Sequence, residues 1–317
     1  MKKVLVSVTN YPEFCAKGKR MLEEHGFEVS ATSNGRPYTP EELKAIIGDF
    51  DAAIIGCDIW DEEIFNEGRK LKALARFGIG VDNIDLESAG RHGIRVSNCV
   101  GINSNSVAEH AVTLMLAMNR LIPRLNNTTR EGKWERVVVH EMNHYTVGLL
   151  GFGGIARKVA EKLNPFGARL IAYDVFPNEG EAARLKVKLC DLDTLFKESD
   201  MISIHVPVVA ETRHMIDRES IRLMKDGVYL VNTARGAVVD EKAAYEALLS
   251  GKIAAFASDV FEKDPVEPGN PLLSLDNFIC TPHTAAESYE NYELTGVETA
   301  QAIIDVFENK VPKNLLV

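Results

Sequence analysis

Short runs of apolar, often β-branched residues recur along this chain of 317 residues, and a stretch with helical spacing follows nearly every run. Examples of these runs are VLVSV, DAAIIG, TVGLLG, DMISIHV and VYLVN. Most are apolar on both faces, which is typical of parallel strands buried between two layers of helices. Alternation of strands and helices over this length predicts an α/β fold made of two doubly wound parallel-sheet domains.

A long helical pattern, SNSVAEHAVTLMLAMNR, separates the two series of strands. Within it, Ser106 and Glu109 have the spacing of a helix-capping box. A last helical pattern, ENYELTGVETAQAIIDVFEN, follows the final strand of the second series and can return to cover the first domain. We therefore predict a discontinuous domain formed by residues 1–100 and 285–317, and an inserted domain formed by residues 101–284.

The composition disfavours some classes of binding partner and indicates the cellular compartment. The formal net charge is −10, which disfavours nucleic acid or an anionic membrane surface as a partner. The five cysteines are scattered without a C-x-x-C pair, which is typical of a reducing compartment. The N-terminal apolar run is too short for a signal peptide, and no run approaches the roughly 20 apolar residues of a membrane span. These features predict a soluble cytoplasmic protein.

The segment HEMNH matches the H-E-x-x-H pattern of zinc hydrolases. That pattern binds metal only on a helix, where His140 and His144 would share one face. Asn143, Tyr145 and Thr146 favour a loop or a strand, and no third ligand follows at a recognisable spacing. We interpret the match as a coincidence in a loop and predict no metal site.

A glycine-rich segment, GLLGFGGIA, lies between a predicted strand and a predicted helix. Gly151, Gly153 and Ala156 match the G-x-G-x-x-G/A fingerprint of Rossmann domains, in which a helix N-terminus receives the pyrophosphate of a dinucleotide. Asp174 ends the next predicted strand, at the position of the acid that binds the adenosine ribose. Because its carboxylate would repel a 2′-phosphate, the sequence predicts NAD rather than NADP as the cofactor.

Polar residues follow three further predicted strands of the second series. Arg235 follows VYLVNTA, the acids Asp259, Glu262 and Asp264 follow AAFAS, and His283 follows NFICTP. Since ligands bind beyond the carboxyl ends of parallel strands, we expect these side chains to converge near the nicotinamide. Hydride transfer at C2 of a 2-hydroxy acid needs a histidine to exchange a proton, a carboxylate to orient it and a guanidinium to grip the substrate carboxylate. The set predicts an oxidoreductase.

Six segments carry a family resemblance over nearly the whole chain: RFGIGVDNIDL, NSNSVAEHAVTLMLA, GLLGFGGIARKVA, VNTARGAVVDEKA, SDVFEKDP and TPHTAAES. Together they resemble the D-isomer-specific 2-hydroxyacid dehydrogenases, and most of all the 3-phosphoglycerate dehydrogenase branch. The resemblance implies an NAD-binding Rossmann domain inserted in a flavodoxin-like substrate domain, with a cleft between them. It also implies a homodimer formed around the long helix that begins near Ser104.

The resemblance assigns a role to individual residues. Arg235 corresponds to the substrate-binding catalytic arginine, and His283 corresponds to the acid–base histidine. Asp264 stands where the family usually has glutamate; because aspartate is one methylene shorter, a small shift, a water or Glu262 would have to restore the contact with His283. The expected cofactor contacts are Gly151, Gly153, Gly154, Ile155, Asp174, Val206, Pro207, Thr212, Thr233, Ala234, Arg235, Asp259 and His283. The expected substrate contacts are Arg235 and the backbone of Ile79 and Gly80.

Departures from the family pattern bear on the substrate. Gly56 stands where phosphoglycerate-specific members tend to carry a phosphate-binding arginine, and Arg76 either supplies a charge instead or is a structural arginine. Val100 replaces the proline usual in its loop, and the chain ends at Val317 with no room for the regulatory domain of longer phosphoglycerate dehydrogenases.

The functional prediction is an NAD-dependent dehydrogenase that interconverts a D-2-hydroxy acid and its 2-oxo acid. The pair 3-phosphoglycerate and phosphohydroxypyruvate is one candidate. The alternatives are a reductase of the hydroxypyruvate or glyoxylate type and a non-catalytic NAD-sensing protein.

Overall fold

The computed structural model describes residues 1–31 and 36–317, and the chain divides into two compact units. The first unit comprises Met1–Asn103 and Glu287–Val317, and the second comprises Ser104–Ala286. The predicted domain limits fall within a few residues of these borders. Each unit is built around a parallel sheet, so the predicted α/β fold with two parallel-sheet domains is confirmed. Within the described part of the chain, no helix is long and apolar enough to cross a membrane.

The sheet of the first unit has the strands β1 (Lys2–Val6), β2 (Phe27–Ala31), β3 (Ala52–Ile55), β4 (Ala73–Arg76) and β5 (Arg95–Ser97). Neighbouring strands pair in parallel in the order β2-β1-β3-β4-β5, which is the flavodoxin-like order. The helices along this part of the chain are α1 (Tyr11–Phe14), α2 (Ala16–Glu24), α3 (Pro40–Ile46), α4 (Glu62–Glu67) and α5 (Leu86–Arg91).

The second unit begins with two helices, α6 (Ser104–Asn119) and α7 (Ile122–Arg130). Its strands are β6 (Thr146–Leu150), β7 (Arg169–Tyr173), β8 (Val187–Leu189), β9 (Met201–Ile204), β10 (Val228–Asn232), β11 (Ile253–Ser258) and β12 (Phe278–Cys280). The helices between them are α8 (Gly154–Leu163), α9 (Glu179–Arg184), α10 (Leu192–Glu198), α11 (Arg218–Leu223) and α12 (Glu241–Ser250). Because α6 begins at Ser104, Ser106 lies inside the helix, and the predicted capping box is wrong.

The strands of the second unit follow the order β12-β11-β10-β9-β6-β7-β8, and neighbours pair in parallel. The winding reverses between β6 and β9, and open α/β sheets bind ligands at such a switch point. Apolar side chains fill both faces of the sheet: in β9, Met201 joins one core, whereas Ile202 and Ile204 join the other. Burial on both faces explains why the strand sequences lack regular polar alternation.

The last helix, α13 (Tyr289–Phe307), belongs to the first unit, where it packs against α2 and β4. The two helices α2 and α13 meet backbone to backbone, since a Cβ on Gly18 would lie 2.2 Å from the carbonyl oxygen of Gly296. This crossing therefore requires a residue without a side chain.

Candidate active site

The turn between β6 and α8 carries the glycines of the dinucleotide fingerprint. Gly151 has φ +92°, and a Cβ there would lie 2.9 Å from the carbonyl oxygen of His205, which follows β9. Gly153 caps the start of α8, and a Cβ on it would have no neighbour within 4 Å. Space is therefore open beside the N-terminus of α8, at the switch point of the sheet. Backbone N–H groups at such a terminus suit a pyrophosphate.

Asp174 follows β7 and is held beside the glycine turn. Its Oδ2 accepts a 2.6 Å hydrogen bond from the N–H of Phe152, and its Oδ1 accepts a 2.8 Å hydrogen bond from the N–H of Phe176. Each carboxylate oxygen keeps a lone pair that ribose hydroxyls can use. The acid thus stands in a set orientation where the sequence predicts the adenosine ribose.

The loop after β9 contains three more predicted cofactor contacts, Val206, Pro207 and Thr212. Val206 borders the glycine turn, because its Cγ1 would lie 3.1 Å from a Cβ at Gly151. The hydroxyl of Thr212 donates to the carbonyl of Pro207 at 2.6 Å and accepts from the N–H of Val209 at 2.9 Å. Thr212 therefore closes this loop on itself.

His205 precedes that loop, and sequence reasoning missed it. Its Nε2 lies 2.8 Å from the hydroxyl oxygen of Ser203, and burial lowers the pKa of the imidazole to about 4. The ring is therefore neutral near pH 7. The backbone N–H of His205 donates to the carbonyl of Leu150 at 2.7 Å, and this hydrogen bond joins the ends of β6 and β9. The sequence offered one signal, a histidine at the end of an apolar strand.

Asp264 and His283 form a pair beyond the ends of β11 and β12. Asp264 Oδ2 lies 3.0 Å from His283 Nδ1, and Asp264 Oδ1 accepts a 3.1 Å hydrogen bond from the N–H of Phe261. The two side chains are 38% and 44% exposed, in that order. The contact leaves Nε2 of His283 for another partner. Aspartate therefore reaches the histidine directly, without an intervening water.

Glu262, the other acid considered for this contact, points elsewhere. Its Oε1 accepts a 3.0 Å hydrogen bond from the N–H of Glu241, the first residue of α12, and lies 3.2 Å from Nε2 of His214. Glu241 in turn accepts a 2.7 Å hydrogen bond from the N–H of Glu262. The two glutamates thus join α12 to the loop after β11, and it is Asp264 that contacts His283.

Gly236 allows the loops after β10 and β11 to touch. A Cβ on Gly236 would lie 1.8 Å from the carbonyl carbon of Phe261. The backbone next to Arg235 is thus in contact with the loop that carries Asp264. Any side chain at position 236 would push these two loops apart.

Residues directly after β10 stand at the predicted nicotinamide end. Arg235 donates from Nη1 to the carbonyl of Ala234 at 2.7 Å, and the Arg235 carbonyl accepts a 2.9 Å hydrogen bond from Asn232 Nδ2. The hydroxyl of Thr233 is buried and has no hydrogen-bond partner among the described residues. A buried hydroxyl without a partner costs free energy, so this atom suits a hydrogen bond to a bound molecule.

Asp259 is buried and holds the turn that carries His283. Its Oδ1 accepts hydrogen bonds from the hydroxyl of Thr281 and, at 2.8 Å, from the N–H of Thr284. Its Oδ2 accepts a 2.8 Å hydrogen bond from the N–H of Ala285. The Asp259 carbonyl accepts a 2.8 Å hydrogen bond from the N–H of His283, whose φ is +52°. The carboxylate of Asp259 organises the histidine turn, and the cofactor contact that the sequence predicts at Asp259 stays a prediction.

In the first unit, the loop after β4 contains Ile79 and Gly80, the predicted substrate contacts. Arg76 donates from Nε to the carbonyl of Gly80 at 2.8 Å and from Nη1 to the carbonyl of Phe77 at 2.6 Å. Asn98 donates to the carbonyl of Ile79 at 2.8 Å. The N–H groups of Ile79 and Gly80 have no backbone partner among residues 1–31 and 36–317, so they suit a carboxylate. These contacts of Arg76 favour the structural interpretation of that arginine.

The loop after β3 contains a buried acid. Asp58 accepts hydrogen bonds from the Ser7 hydroxyl and, at 2.6 Å, from the N–H of Tyr38, and burial raises the pKa of its carboxyl. The N–H of Gly56 donates to Ser7 Oγ at 3.2 Å. A Cβ on Gly56 would meet its nearest neighbours at 3.8 Å, so a longer side chain can start there. None of these four residues carries a positive charge.

The HEMNH segment does not form a helix. His140 lies in an irregular stretch, and His144 ends a 3-10 turn, Met142–His144. The two imidazole rings stack, with centroids 4.0 Å apart and planes 7° apart. Across the described residues, no group of three or more histidine, cysteine, aspartate or glutamate side chains is arranged to hold a metal ion.

The chain is similar to known proteins over most of its length. Residues 112–285 match the family model described as the NAD-binding domain of D-isomer-specific 2-hydroxyacid dehydrogenases. The chain is 46% identical to a hydroxypyruvate reductase of Thermotoga maritima, over 83% of this chain and 87% of that protein. This chain belongs to the D-isomer-specific 2-hydroxyacid dehydrogenase family.

Two further known proteins are similar to this chain. A D-3-phosphoglycerate dehydrogenase of Archaeoglobus fulgidus is 40% identical over 92% of this chain, which spans 56% of that protein's length. The structure of an Aquifex aeolicus D-lactate dehydrogenase, complexed with NAD and lactic acid, is 28% identical and has a TM-score of 0.86 over 100% of this chain and 99% of that one.

As a D-2-hydroxyacid dehydrogenase, the protein is an NAD-dependent oxidoreductase, as the sequence predicted. Its own residues fit that cofactor. The open helix N-terminus at Gly153, the oriented carboxylate of Asp174 and the unpartnered hydroxyl of Thr233 each offer a contact that NAD can use.

Proposed function

We propose that this dehydrogenase interconverts a small, unphosphorylated D-2-hydroxy acid and its 2-oxo acid, with hydroxypyruvate or glyoxylate as the 2-oxo acid. The observation that carries the acid–base chemistry of the proposal is the Asp264–His283 pair, in which a partly exposed imidazole is held through Nδ1. Its Nε2 is left for a substrate oxygen. An acid–base catalyst needs this arrangement.

The proposed catalytic groups divide the proton and charge chemistry between them. Bound NADH supplies a hydride to C2 of the 2-oxo acid. Protonated His283 gives the proton on Nε2 to the carbonyl oxygen, which becomes the hydroxyl, and in the oxidative direction the neutral ring takes that proton back. Asp264 keeps a proton on Nδ1 and stabilises the positive charge of the ring. Arg235 binds the substrate carboxylate and polarises the neighbouring carbonyl.

The other predicted contacts keep their places in this proposal. The first unit is the substrate domain, where the N–H groups of Ile79 and Gly80 bind the substrate carboxylate. The second unit is the NAD domain. Its proposed cofactor contacts are Gly151, Gly153, Gly154, Ile155, Asp174, Val206, Pro207, Thr212, Thr233, Ala234, Arg235, Asp259 and His283.

The unphosphorylated substrate is supported by the loops of the first unit. Position 56 is glycine, Arg76 is engaged with the loop that follows it, and the nearby buried side chain, Asp58, is acidic. Gly56 and Asp58 offer a phosphate dianion no positive charge, and Nε and Nη1 of Arg76 already donate to backbone carbonyls of its own loop. The similarity to a protein named hydroxypyruvate reductase points the same way.

Loss of NADH absorbance tests the substrate class. The panel is hydroxypyruvate, glyoxylate, pyruvate, a branched-chain 2-oxo acid and phosphohydroxypyruvate. We expect kcat/KM for hydroxypyruvate or glyoxylate to exceed that for phosphohydroxypyruvate by about tenfold or more, which is about 1.4 kcal/mol in transition-state binding. A preference for phosphohydroxypyruvate would contradict the proposal.

We also propose that the protein is a homodimer formed around α6. The segment after α6 presents exposed apolar side chains: Ile122 opens α7, and beyond that helix Trp134 is 85% exposed and Val138 is 98% exposed. Large apolar side chains that are exposed within one segment are candidates for a surface that another protein covers. Sedimentation should give twice the mass of one chain, and the double variant Trp134→Ser, Val138→Ser should shift the mass toward one chain. A monomer at micromolar concentration would contradict this assignment.

The proposed location is the cytoplasm. The cysteines are free, as expected in a reducing compartment. Fractionation of the source cells with an antibody to the protein tests this location, and recovery outside the cytoplasmic fraction would contradict it.

A further inference from the structure

His110 of α6 reaches the turn that carries His283, although no sequence motif pointed to it. Its Nε2 lies 3.0 Å from the hydroxyl oxygen of Thr281 and 3.6 Å from Oδ1 of Asp259. The side chain of His110 is 21% exposed, whereas that of Asp259 is 1% exposed. These residues belong to the second unit, and 171 positions of sequence separate His110 from Thr281.

The directions of these hydrogen bonds follow from the protons available. The Thr281 hydroxyl has one proton and donates it to the carboxylate of Asp259. Toward His110, the Thr281 oxygen can then only accept, so Nε2 of His110 carries a proton. A directed chain of hydrogen bonds thus runs from His110 through Thr281 to Asp259.

The same carboxylate fixes the backbone around His283. It accepts hydrogen bonds from the N–H groups of Thr284 and Ala285, each at 2.8 Å, and the Asp259 carbonyl accepts from the N–H of His283 at 2.8 Å. His283 has φ +52°, a conformation that a residue with a side chain rarely adopts unless its surroundings hold it there. A displacement of the Asp259 carboxylate would therefore move the imidazole of His283.

We propose that His110 is a positioning residue for the reaction. By donating to Thr281, it directs the hydroxyl proton of Thr281 to Asp259, and Asp259 then holds the turn that puts Nδ1 of His283 against Asp264. His110 acts through these neighbours and not on the reacting atoms. The proposal rests on the proposed acid–base role of His283.

Two amide substitutions at His110 carry the same polar group and differ only in how far that group extends from the backbone. The amide nitrogen of glutamine extends about as far from Cα as Nε2 of histidine, so His110→Gln can still donate to Thr281. The amide of asparagine extends only about as far as Nδ1, so His110→Asn cannot. We expect kcat within about threefold of the wild type for His110→Gln and a loss of about tenfold for His110→Asn, because small misplacements of catalytic groups are costly. The NADH dissociation constant and the melting temperature should differ little between the two.

Substitutions at Thr281 test the same chain of hydrogen bonds at its central residue. They keep the proposal testable if a His110 variant fails to fold. Valine keeps the shape of threonine but neither donates nor accepts, whereas serine keeps the hydroxyl. We expect Thr281→Val to lose as much kcat as His110→Asn, Thr281→Ser to retain it, and the double variant of His110→Asn and Thr281→Val to lose no more than either single variant. Ser274→Ala, which removes an exposed hydroxyl that donates to the carbonyl of Pro271, is the control and should match the wild type.

A His110→Asn enzyme with wild-type kcat would overturn the proposal. An equal loss of kcat in His110→Gln would also overturn it. So would a loss of kcat that occurs only in variants with a lower melting temperature. His283→Ala distinguishes a failure of the acid–base role of His283 from a failure of the positioning role of His110. If His283→Ala keeps full turnover, the acid–base role fails and this inference fails with it; if His283→Ala loses turnover while His110→Asn and Thr281→Val keep theirs, only the role of His110 fails.

Discussion

Oδ2 of Asp264 lies 3.0 Å from Nδ1 of His283, although the two residues follow different strands of the sheet. The contact sets the orientation of the imidazole and directs Nε2 away from the carboxylate. The orientation depends on the loop after β11, which Glu262 joins to the start of α12. The acid–base role proposed for His283 therefore depends on contacts between residues of the protein that do not themselves bind the substrate.

Replacing the Asp264 carboxylate tests the first of these contacts. Asp264→Asn keeps the shape of the side chain but removes the charge that stabilises the protonated imidazole, so we expect kcat to fall by roughly ten- to a hundredfold. Glu262→Gln is the matched control, because its amide oxygen can still accept from the N–H of Glu241. Steady-state kinetics should give a kcat for Glu262→Gln within about threefold of the wild type. Equal losses in the two variants would contradict the assignment of Asp264.

Adding one methyl group at Gly236 tests the contact between the loops after β10 and β11. The new Cβ would meet the backbone of Phe261, which cannot rotate away, so we expect Gly236→Ala to lower the free energy of unfolding by about 1–3 kcal/mol. The activity should fall as well, since Arg235 and Asp264 move apart. Gly90→Ala in α5 is the control: its Cβ would have no neighbour within 4 Å, and alanine is the better helix former. Urea unfolding and kcat measure both effects, and a Gly236→Ala enzyme like the wild type would contradict the packing argument.

Much of the fold and part of the site could be predicted because they depend on local pattern. Strands buried on both faces leave apolar runs in the sequence, and their ends mark the edge where Arg235 and His283 lie. Gly151 and Asp174 could be located because a tight turn and the acid after the next strand are set by short distances along the chain. These features can be predicted without information on contacts between residues that are far apart in the sequence.

The remaining features depend on side-chain orientation and on residues far apart in sequence. Asp264 and Glu262 are two positions apart on one loop, and the choice between them is made by the N–H of Glu241, which binds Glu262. The contact of His110 with Thr281 joins two segments that share no local pattern. The capping box at Ser106 was wrong because α6 starts earlier, and no spacing rule could show that.

Substrate preference should respond to a charge at position 56. Gly56→Arg adds a guanidinium where a Cβ has room, so we expect kcat/KM for phosphohydroxypyruvate relative to hydroxypyruvate to rise by about tenfold. Gly56→Met has a long side chain without charge and should leave the ratio near its wild-type value. A ratio that stays constant in Gly56→Arg would mean that the substrate's distal end does not approach this loop.

The neutral His205 should make stability depend on pH. Its pKa is lowered from 6.5 to about 4 in the folded protein, so between these values the unfolded chain binds a proton that the folded state does not. Stability that is present above pH 6.5 is therefore lost as the pH falls toward 4, by roughly 3 kcal/mol in all. Urea unfolding at pH 7.5, 6, 5 and 4.5 should show a smaller decline for His205→Gln than for the wild type. Parallel declines would contradict the low pKa of His205.

The most direct test of the proposed mechanism is turnover of hydroxypyruvate and NADH by His283→Ala, measured beside NADH binding by fluorescence titration. If Nε2 of His283 delivers the proton, kcat falls by about 10²- to 10⁴-fold while the dissociation constant for NADH stays within about threefold. A His283→Ala enzyme that binds NADH normally and keeps the wild-type kcat would contradict the proposed acid–base role.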